Sequence, residues 1–438
     1  MRVAYTLLWW LALPWLPLRL WWRGRREPTY RHAIGERFGR YANPIRAARD
    51  VVWIHAVSLG ETRATVPLVE RLQRERPATT ILLTHMTASG RDAGRALFGD
   101  RVVQAWLPYD LPFAVERFLA HFRPSAGLLM ETELWPNLIA CARRRGVPLF
   151  LVNARLSERS ARGYARVGSL ARTLLASLAG IAAQTDADAR RLAALGAQEV
   201  AVTGNLKFDV DVPAAMLERG RALRQRFGPG RPVIVLASTR DGEEALLVDA
   251  LSRARLPPAA LVVIVPRHPQ RFTEVAALLD ARGVALARRS DGRDVAAATR
   301  VVLGDSMGEM LAYYAAADVV FVGGSLLPLG GQNLIEPIAV GAPTLVGPHT
   351  FNFAQAAEAA IEAGAALRVQ DADEAFAVAA RLLDDRTARD RMRASAAAFL
   401  ASHRGGAERL WRWLAPRIAA GRAPVKHPGR DVSRGVAG

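Results

Sequence analysis

Four ionisable side chains stand where short apolar runs give way to polar sequence: Glu61, Glu131, Glu133 and Lys207. Glu61 follows Val51-Val-Trp-Ile-His-Ala-Val-Ser58 and falls in the first turn of a predicted helix. The positive end of a helix favours an ionised carboxylate, and an ionised carboxylate beside a hydroxyl can take its proton. The same position also suits a capping glutamate with no chemistry. Glu131 and Glu133 follow Ala126-Gly-Leu-Leu-Met130. Residues two apart in an extended segment share a face, so both are expected to point into a cleft, where neighbouring carboxylates shift each other's pKa. Unrelated surface glutamates would give the same pattern. Lys207, in Thr203-Gly-Asn-Leu-Lys-Phe-Asp209, is placed either to hold a phosphate or carboxylate or to be solvated.

A second group of residues has the character of an anion site. Pro266-Arg267-His268-Pro269 follows a fully apolar run, and the flanking prolines restrict the arginine's backbone. Asp305-Ser306-Met307-Gly308-Glu309 precedes an amphipathic pattern, so its N–H groups are expected to face an anion. Val322-Gly323-Gly324-Ser325 leads through Gly330-Gly331-Gln332-Asn333-Leu334-Ile335-Glu336-Pro337 into another helix. Glycine lets a phosphate approach the backbone, and Glu336 can accept hydrogen bonds from ribose hydroxyls. The succession of these clusters after three strands points to a nucleotide. Neither Gly-x-Gly-x-x-Gly nor Gly-Lys-Ser/Thr occurs, which argues against a dinucleotide or an NTPase. The eight histidines lack metal-ligand spacing, and Cys141 is the only cysteine, so no internal disulfide forms.

These residues need a scaffold that gathers strand ends. Strand-like runs recur at Val51–Ser58, Thr80–Thr84, Val102–Leu107, Ala126–Met130, Pro148–Val152, Ile181–Gln184 and Val200–Thr203. They resume at Val233–Ala237, Leu261–Val265, Arg300–Leu303, Val319–Val322 and Pro343–Val346. Helical Ala/Leu/Arg patterns lie between them, as in parallel sheets with crossover helices. A polar helical stretch, Pro213–Phe227, with Gly228-Pro-Gly-Arg-Pro232, separates the halves. The expectation is an α/β protein of two Rossmann-like domains, residues 27–210 and 211–420, facing a central cleft. Ligands in such sheets bind outside the strands' carboxyl ends.

Residues 1–26 differ from the rest. Five of the ten tryptophans (Trp9, Trp10, Trp15, Trp21 and Trp22) lie there, followed by Arg23-Gly-Arg-Arg26. Tryptophan favours the bilayer interface, and basic residues mark a cytoplasmic side. The segment is expected to be a membrane anchor, either one spanning helix weakened by Pro14, Pro17 and Arg19 or a helix lying in the headgroup plane. Trp21-Trp22-Arg23 is not a small-residue cleavage site. Lys+Arg is 59 against Asp+Glu 41, a net charge of +18. That charge suits an anionic lipid or phosphorylated glycolipid, and no recognisable motif favours nucleic acid. Residues 421–438, rich in Arg, Pro and Gly, read as a disordered basic tail.

The motifs together resemble the bacterial 3-deoxy-D-manno-octulosonic acid (Kdo) transferase family of membrane-anchored GT-B glycosyltransferases. The resemblance runs from about residue 5 to about 415. It is carried by Ser58-Leu-Gly-Glu61, Leu107-Pro-Tyr-Asp-Leu-Pro112, Met130-Glu-Thr-Glu-Leu-Trp-Pro-Asn137, Asn153-Ala-Arg-Leu-Ser157 and Gly204-Asn-Leu-Lys-Phe-Asp209. Val265-Pro-Arg-His-Pro269, Gly304-Asp-Ser-Met-Gly-Glu309, Phe321-Val-Gly-Gly-Ser325 and Gly347-Pro-His-Thr-Phe-Asn-Phe353 complete it. The resemblance implies inverting transfer of Kdo from CMP-Kdo to the tetraacylated lipid A precursor, without a metal or other cofactor. It implies lipopolysaccharide synthesis on the cytoplasmic face of the inner membrane. It makes Glu61 the base, and Glu131 and Lys207 transition-state stabilisers. CMP contacts fall to Pro266, Arg267, Met307, Gly308, Glu309, Asn333, Leu334, Ile335 and Glu336. Rival readings are a sugar-nucleotide epimerase on the same fold, which would need no anchor, and a non-catalytic lipid-binding scaffold, which would need no glycines and acids at strand ends.

Overall fold

Apolar runs without polar alternation bury both faces of a strand, as a parallel sheet covered by helices requires. The computed structural model describes residues 1–42 and 50–420, apart from the side chains of Arg26 and Ala420. The first sheet contains β1 (Val51–His55), β2 (Thr80–His85), β3 (Val103–Trp106), β4 (Ala126–Met130), β5 (Leu149–Ala154), β6 (Gly180–Ala183) and β7 (Val200–Val202). The second contains β8 (Val233–Thr239), β9 (Leu261–Pro266), β10 (Leu286–Arg288), β11 (Val301–Leu303), β12 (Val319–Val322), β13 (Thr344–Val346) and β14 (Ala366–Arg368). Their orders are β3-β2-β1-β4-β5-β6-β7 and β10-β11-β9-β8-β12-β13-β14, with parallel pairing throughout. The two edge strands β10 and β14 were not anticipated. Each has three residues and contains an arginine, too little for a periodic signal.

The winding direction reverses between β1 and β4 in one sheet and between β8 and β12 in the other. Crevices open at such reversals, outside the carboxyl ends of the strands. Two faces of β1 bury different neighbours. Trp53 packs with Phe118, Leu138 and Leu151. Val52 and Ile54 pack with Leu68, Leu72 and Trp411. The helix predicted to carry Glu61 in its first turn is followed directly by a second: Leu59–Ala64 and Val66–Glu75 join at Thr65, with Pro67 in the first turn of the second.

The chain divides into two compact units, Met1–Asp209 with the chain from Gly405, and Val210–Arg404. The helix Gly406–Ala420, which the sequence reading grouped with residues 211–420, thus belongs to the first unit. Its Leu410, Trp411, Leu414 and Ile418 are buried in the Val52 core. Asp209 accepts the Gly405 and Ala407 N–H groups, and Trp411 Nε1 donates to Glu75. Helix Ala214–Phe227 packs on Met310–Ala316 within the second unit.

The N-terminal segment is not one helix. Arg2–Ala12 and Trp15–Arg26 meet at Leu13-Pro14. Among the described residues no single helix is long and apolar enough to cross a membrane; the pair Arg2–Ala12 and Trp15–Arg25 meets that test only jointly, bent by 60°. Leu16 and Leu20 are buried against Tyr30, Ala88, Tyr109 and Leu111. Trp9 lies 5.7 Å from the Tyr109 ring, and Thr6 Oγ1 donates to Asn137 Oδ1 at 3.0 Å. Val3, Leu7, Leu8, Leu11, Trp15, Leu18 and Trp22 remain exposed. The tail 421–438 lies outside the described residues.

Candidate active site

Glu61 sits where β1 delivers the chain to a helix beside the first reversal. Ser58 caps that helix. Its hydroxyl donates to Glu61 Oε1 at 2.9 Å, and the Val57 N–H donates to Oε2 at 2.8 Å. The carboxyl therefore resembles the acid of a capping box, yet it is buried and not held ionised. Its pKa is pushed up to about 7, first by burial and then by the charge of Glu131, against the pull of the Val57 and Ser58 hydrogen bonds. The helix end would favour the ionised form, but desolvation outweighs the weak dipole of a six-residue helix. A group titrating near neutrality is well matched to general-base work. A Cβ on Gly60 would meet nothing within 4 Å, so the turn opens onto free space beside Glu61.

Glu131 follows β4 with φ +58°. A left-handed backbone at a non-glycine residue is strained and tends to mark functional positions. Lys207 Nζ donates to Glu131 Oε1 at 2.7 Å, and the Leu206–Phe208 turn packs against the Glu61 helix. Glu131, Lys207 and Glu61 thus form one cluster in the first unit. Glu133 keeps the expected charge coupling to Glu131 but not the expected extended geometry. The segment is a turn, not an extended strand, and the Glu133 carboxylate accepts Trp135 Nε1 at 2.8 Å. Burial and the Glu131 charge raise its pKa.

Asn153 is a further member whose role the sequence did not reveal. It is the penultimate residue of β5, lies in the left-handed region, φ +52°, and is fully buried. Its Oδ1 accepts the Leu206 N–H at 3.0 Å, fixing the turn that carries Lys207. Asparagine's tolerance of that conformation is the available signal. Beneath the cluster, burial pushes His55 down to about 3 and His85 to about 4, so both imidazoles stay neutral. His55 Nδ1 lies 2.9 Å from Thr84 Oγ1, which also accepts Trp53 Nε1 at 2.8 Å. They brace the strand ends.

In the second unit the nominated residues follow β9, β11 and β12 along the carboxyl edge of the sheet. Pro266 closes β9, and the Arg267 N–H donates to Thr239 O at 2.9 Å, tying β9 to β8. Met307 is exposed and Gly308 adopts φ +77°. Glu309 lies 3.2 Å from Arg289. Asn333 Nδ2 donates to Glu336 Oε1 at 3.0 Å, while its Oδ1 accepts the Ile335 N–H at 3.0 Å. Leu334 and Ile335 are core side chains, leaving only their backbone groups for a ligand.

The glycine loop after β12 differs from the expected phosphate cradle. The N–H groups of Gly324, Ser325 and Leu326 already donate to the carboxylate of Glu243. Glu243 and Glu244 open a helix, and a Glu-Glu pair there has the local signature of an ordinary cap, so the sequence carries no sign of this contact.

The family profile described as 3-Deoxy-D-manno-octulosonic-acid transferase (kdotransferase) matches residues 32–210. The 3-deoxy-D-manno-octulosonic acid transferase of Bordetella pertussis is 49% identical over 424 residues, covering 93% of this chain and 97% of that protein. Its Haemophilus influenzae counterpart is 37% identical over 398 residues, covering 90% and 93%. Among solved structures, a glycosyltransferase from Rickettsia africae is 12% identical, covers 85% of this chain and 98% of that one, and has a TM-score of 0.56. A UDP-GlcNAc 2-epimerase from Neisseria meningitidis is 14% identical, covers 84% and 100%, and has a TM-score of 0.55. These distant likenesses bear on the fold, which is of the GT-B class. The identity and coverage of the two sequence relatives decide the rest: the chain belongs to the 3-deoxy-D-manno-octulosonic acid transferase family.

Proposed function

We propose that this chain transfers Kdo from CMP-Kdo to the tetraacylated lipid A precursor in lipopolysaccharide synthesis, with inversion and without a metal. The observation that carries the reading is the Glu61 carboxyl, poised near pH 7 beside the Glu131–Lys207 pair at a winding reversal. In its ionised form Glu61 takes the proton from the acceptor hydroxyl. The hydroxyl oxygen bonds to the anomeric carbon of Kdo as that carbon's bond to the CMP phosphate oxygen breaks, and CMP leaves with the electron pair. Glu131 and Lys207 stabilise the charge that develops around the reacting sugar. Arg267 and the segments after β9, β11 and β12 hold CMP, with Glu336 accepting from its ribose.

The acceptor is amphiphilic, and the N-terminal helix pair fits a bilayer surface. Leu16 and Leu20 fasten it to the domain, while Leu7, Leu11, Trp15, Leu18 and Trp22 stay uncovered beside exposed Arg19, Arg23 and Arg25. A docked pair with an apolar ridge and flanking cations suits insertion in the headgroup plane on the cytoplasmic side of the inner membrane. The decisive experiment supplies freshly made CMP-Kdo and tetraacylated lipid A precursor to detergent-solubilised protein and reads products by mass spectrometry. Addition of one or more Kdo masses is expected. No addition by a folded, CMP-binding protein would overturn the substrate assignment.

A further inference from the structure

Glu243 is fully buried, and its carboxylate accepts four backbone N–H groups. Oε2 takes Gly324 at 2.6 Å and Arg240 at 3.2 Å; Oε1 takes Leu326 at 2.9 Å and Ser325 at 3.0 Å. Converging N–H groups form an anion nest, and here the protein's own carboxyl fills it; burial raises the pKa of that carboxyl, while the four N–H groups pull it back towards the ionised form. The fit is close: a Cβ on Gly323 would lie 2.9 Å from Glu243 Oε2 and 2.7 Å from Thr239 Cα.

The loop held this way holds the next. Gly331 N–H donates to Gly324 O at 2.7 Å, and Gln332 N–H donates to Gly323 O at 3.0 Å. Asn333 and Glu336 follow directly. On the other side Ser325 Oγ accepts the Gly347 N–H at 2.8 Å, and Ser325 O accepts the His349 N–H at 2.9 Å. A single buried carboxylate thus anchors a chain of contacts reaching the nominated ribose contact and the loop after β13. An emptied nest would leave several buried donors without acceptors, and the loop would move to satisfy them.

We propose that Glu243 is a positioning residue for donor binding: it fills the nest of the Gly323–Leu326 loop and thereby sets Asn333 and Glu336 before any ligand arrives. The donor's phosphate then falls to the segments after β9 and β11, since the Gly323–Leu326 amides are taken. This inference rests on the reading of the second unit as the CMP-sugar unit.

The test is calorimetric titration of CMP into the full chain and its Glu243→Ala and Glu243→Gln variants, with and without formate, beside substrate KM values. Glu243→Ala is expected to bind CMP at least about 10-fold more weakly, as supporting residues of a site typically do. Acceptor KM stays unchanged. Formate, a carboxylate small enough for the emptied nest, restores part of the loss. Glu243→Gln, which keeps one acceptor oxygen, puts an NH2 donor in place of the other and loses the charge, falls between and carries the test if Glu243→Ala does not fold. Unchanged CMP binding in a folded variant overturns the role. Equal losses for both substrates with no formate rescue mark a merely structural residue and overturn it too. A wild-type chain that binds no CMP overturns the donor reading itself, whereas wild-type binding with unaffected variants overturns only the assignment of Glu243.

Discussion

Lys207 Nζ reaches Glu131 Oε1 across 2.7 Å although 76 residues separate them in the chain. The pair is partly buried, so its charges are screened less than a surface pair's. It also leaves Glu61 next to a carboxylate whose charge contributes to raising the Glu61 pKa. This coupling gives the first prediction. Glu131→Gln removes that charge, so the acidic limb of the kcat/KM profile, expected near pH 7, should move to lower pH. A limb that stays in place would show that Glu131 does not act on the base. Lys207→Met should lower kcat by about 10²-fold or more, the scale of losing one charge-stabilising donor.

Glu61→Gln should separate activity from stability. Folding raises the Glu61 pKa from 4.5 to about 7, so the folded state binds more protons than the unfolded one between those values. Stability therefore falls as pH rises through that window, and above it the buried charge costs on the order of 3 kcal/mol. Glutamine carries no such cost and can keep both partners, accepting from Val57 N–H and donating to the Ser58 hydroxyl. The variant should lose transfer by about 10²- to 10⁴-fold yet melt higher than wild type at pH 8, with the two converging near pH 5. A folded Glu61→Gln enzyme with normal turnover would remove the base assignment.

Glu336→Ala should raise the donor KM far more than the acceptor KM. Its carboxylate is held by Asn333 Nδ2, which orients it without consuming all of its acceptor capacity. Loss of a ribose contact leaves the lipid acceptor untouched. Steady-state kinetics with each substrate varied in turn checks this, and equal effects on both would count against a ribose contact.

What the sequence disclosed was largely what local pattern can encode. β1, β4 and β12 are continuous apolar runs with glutamate or glycine at their ends, and both strands and polar ends stand where the pattern placed them. The helix break at Leu13-Pro14 had its proline in view. Features that depend on distant partners were not legible. The Glu61 pKa is raised first by burial and then by Glu131, about seventy positions away, whereas the helix end taken with its sequence neighbours alone gives the opposite sign. Glycine at 323 and 324 is equally compatible with cradling a phosphate and with wrapping Glu243, because both need N–H groups converging on an anion. The return of Gly406–Ala420 to the first unit rests on Leu410, Trp411 and Leu414 meeting Val52 and Ile54, a pairing with no local signature.

The N-terminal pair permits a membrane prediction that distinguishes lying on a bilayer from packing as an ordinary surface helix. Trp15 and Leu18 are exposed at 68% and 55%, whereas their neighbours Leu16 and Leu20 are buried, so substitution of the exposed pair leaves the docked face alone. One fully buried leucine-sized side chain contributes about 1.5–3 kcal/mol. Trp15→Glu combined with Leu18→Glu should therefore weaken sedimentation with phosphatidylglycerol-containing vesicles by roughly 100-fold, with little change in melting temperature. Arg19→Ser with Arg23→Ser should weaken binding less and remove much of its salt dependence, because cations near an anionic surface act within a Debye length. Vesicle binding that survives both double substitutions would mean that this ridge is not what meets the bilayer. A large fall in melting temperature for the glutamate variant would mean that the ridge packs on protein instead.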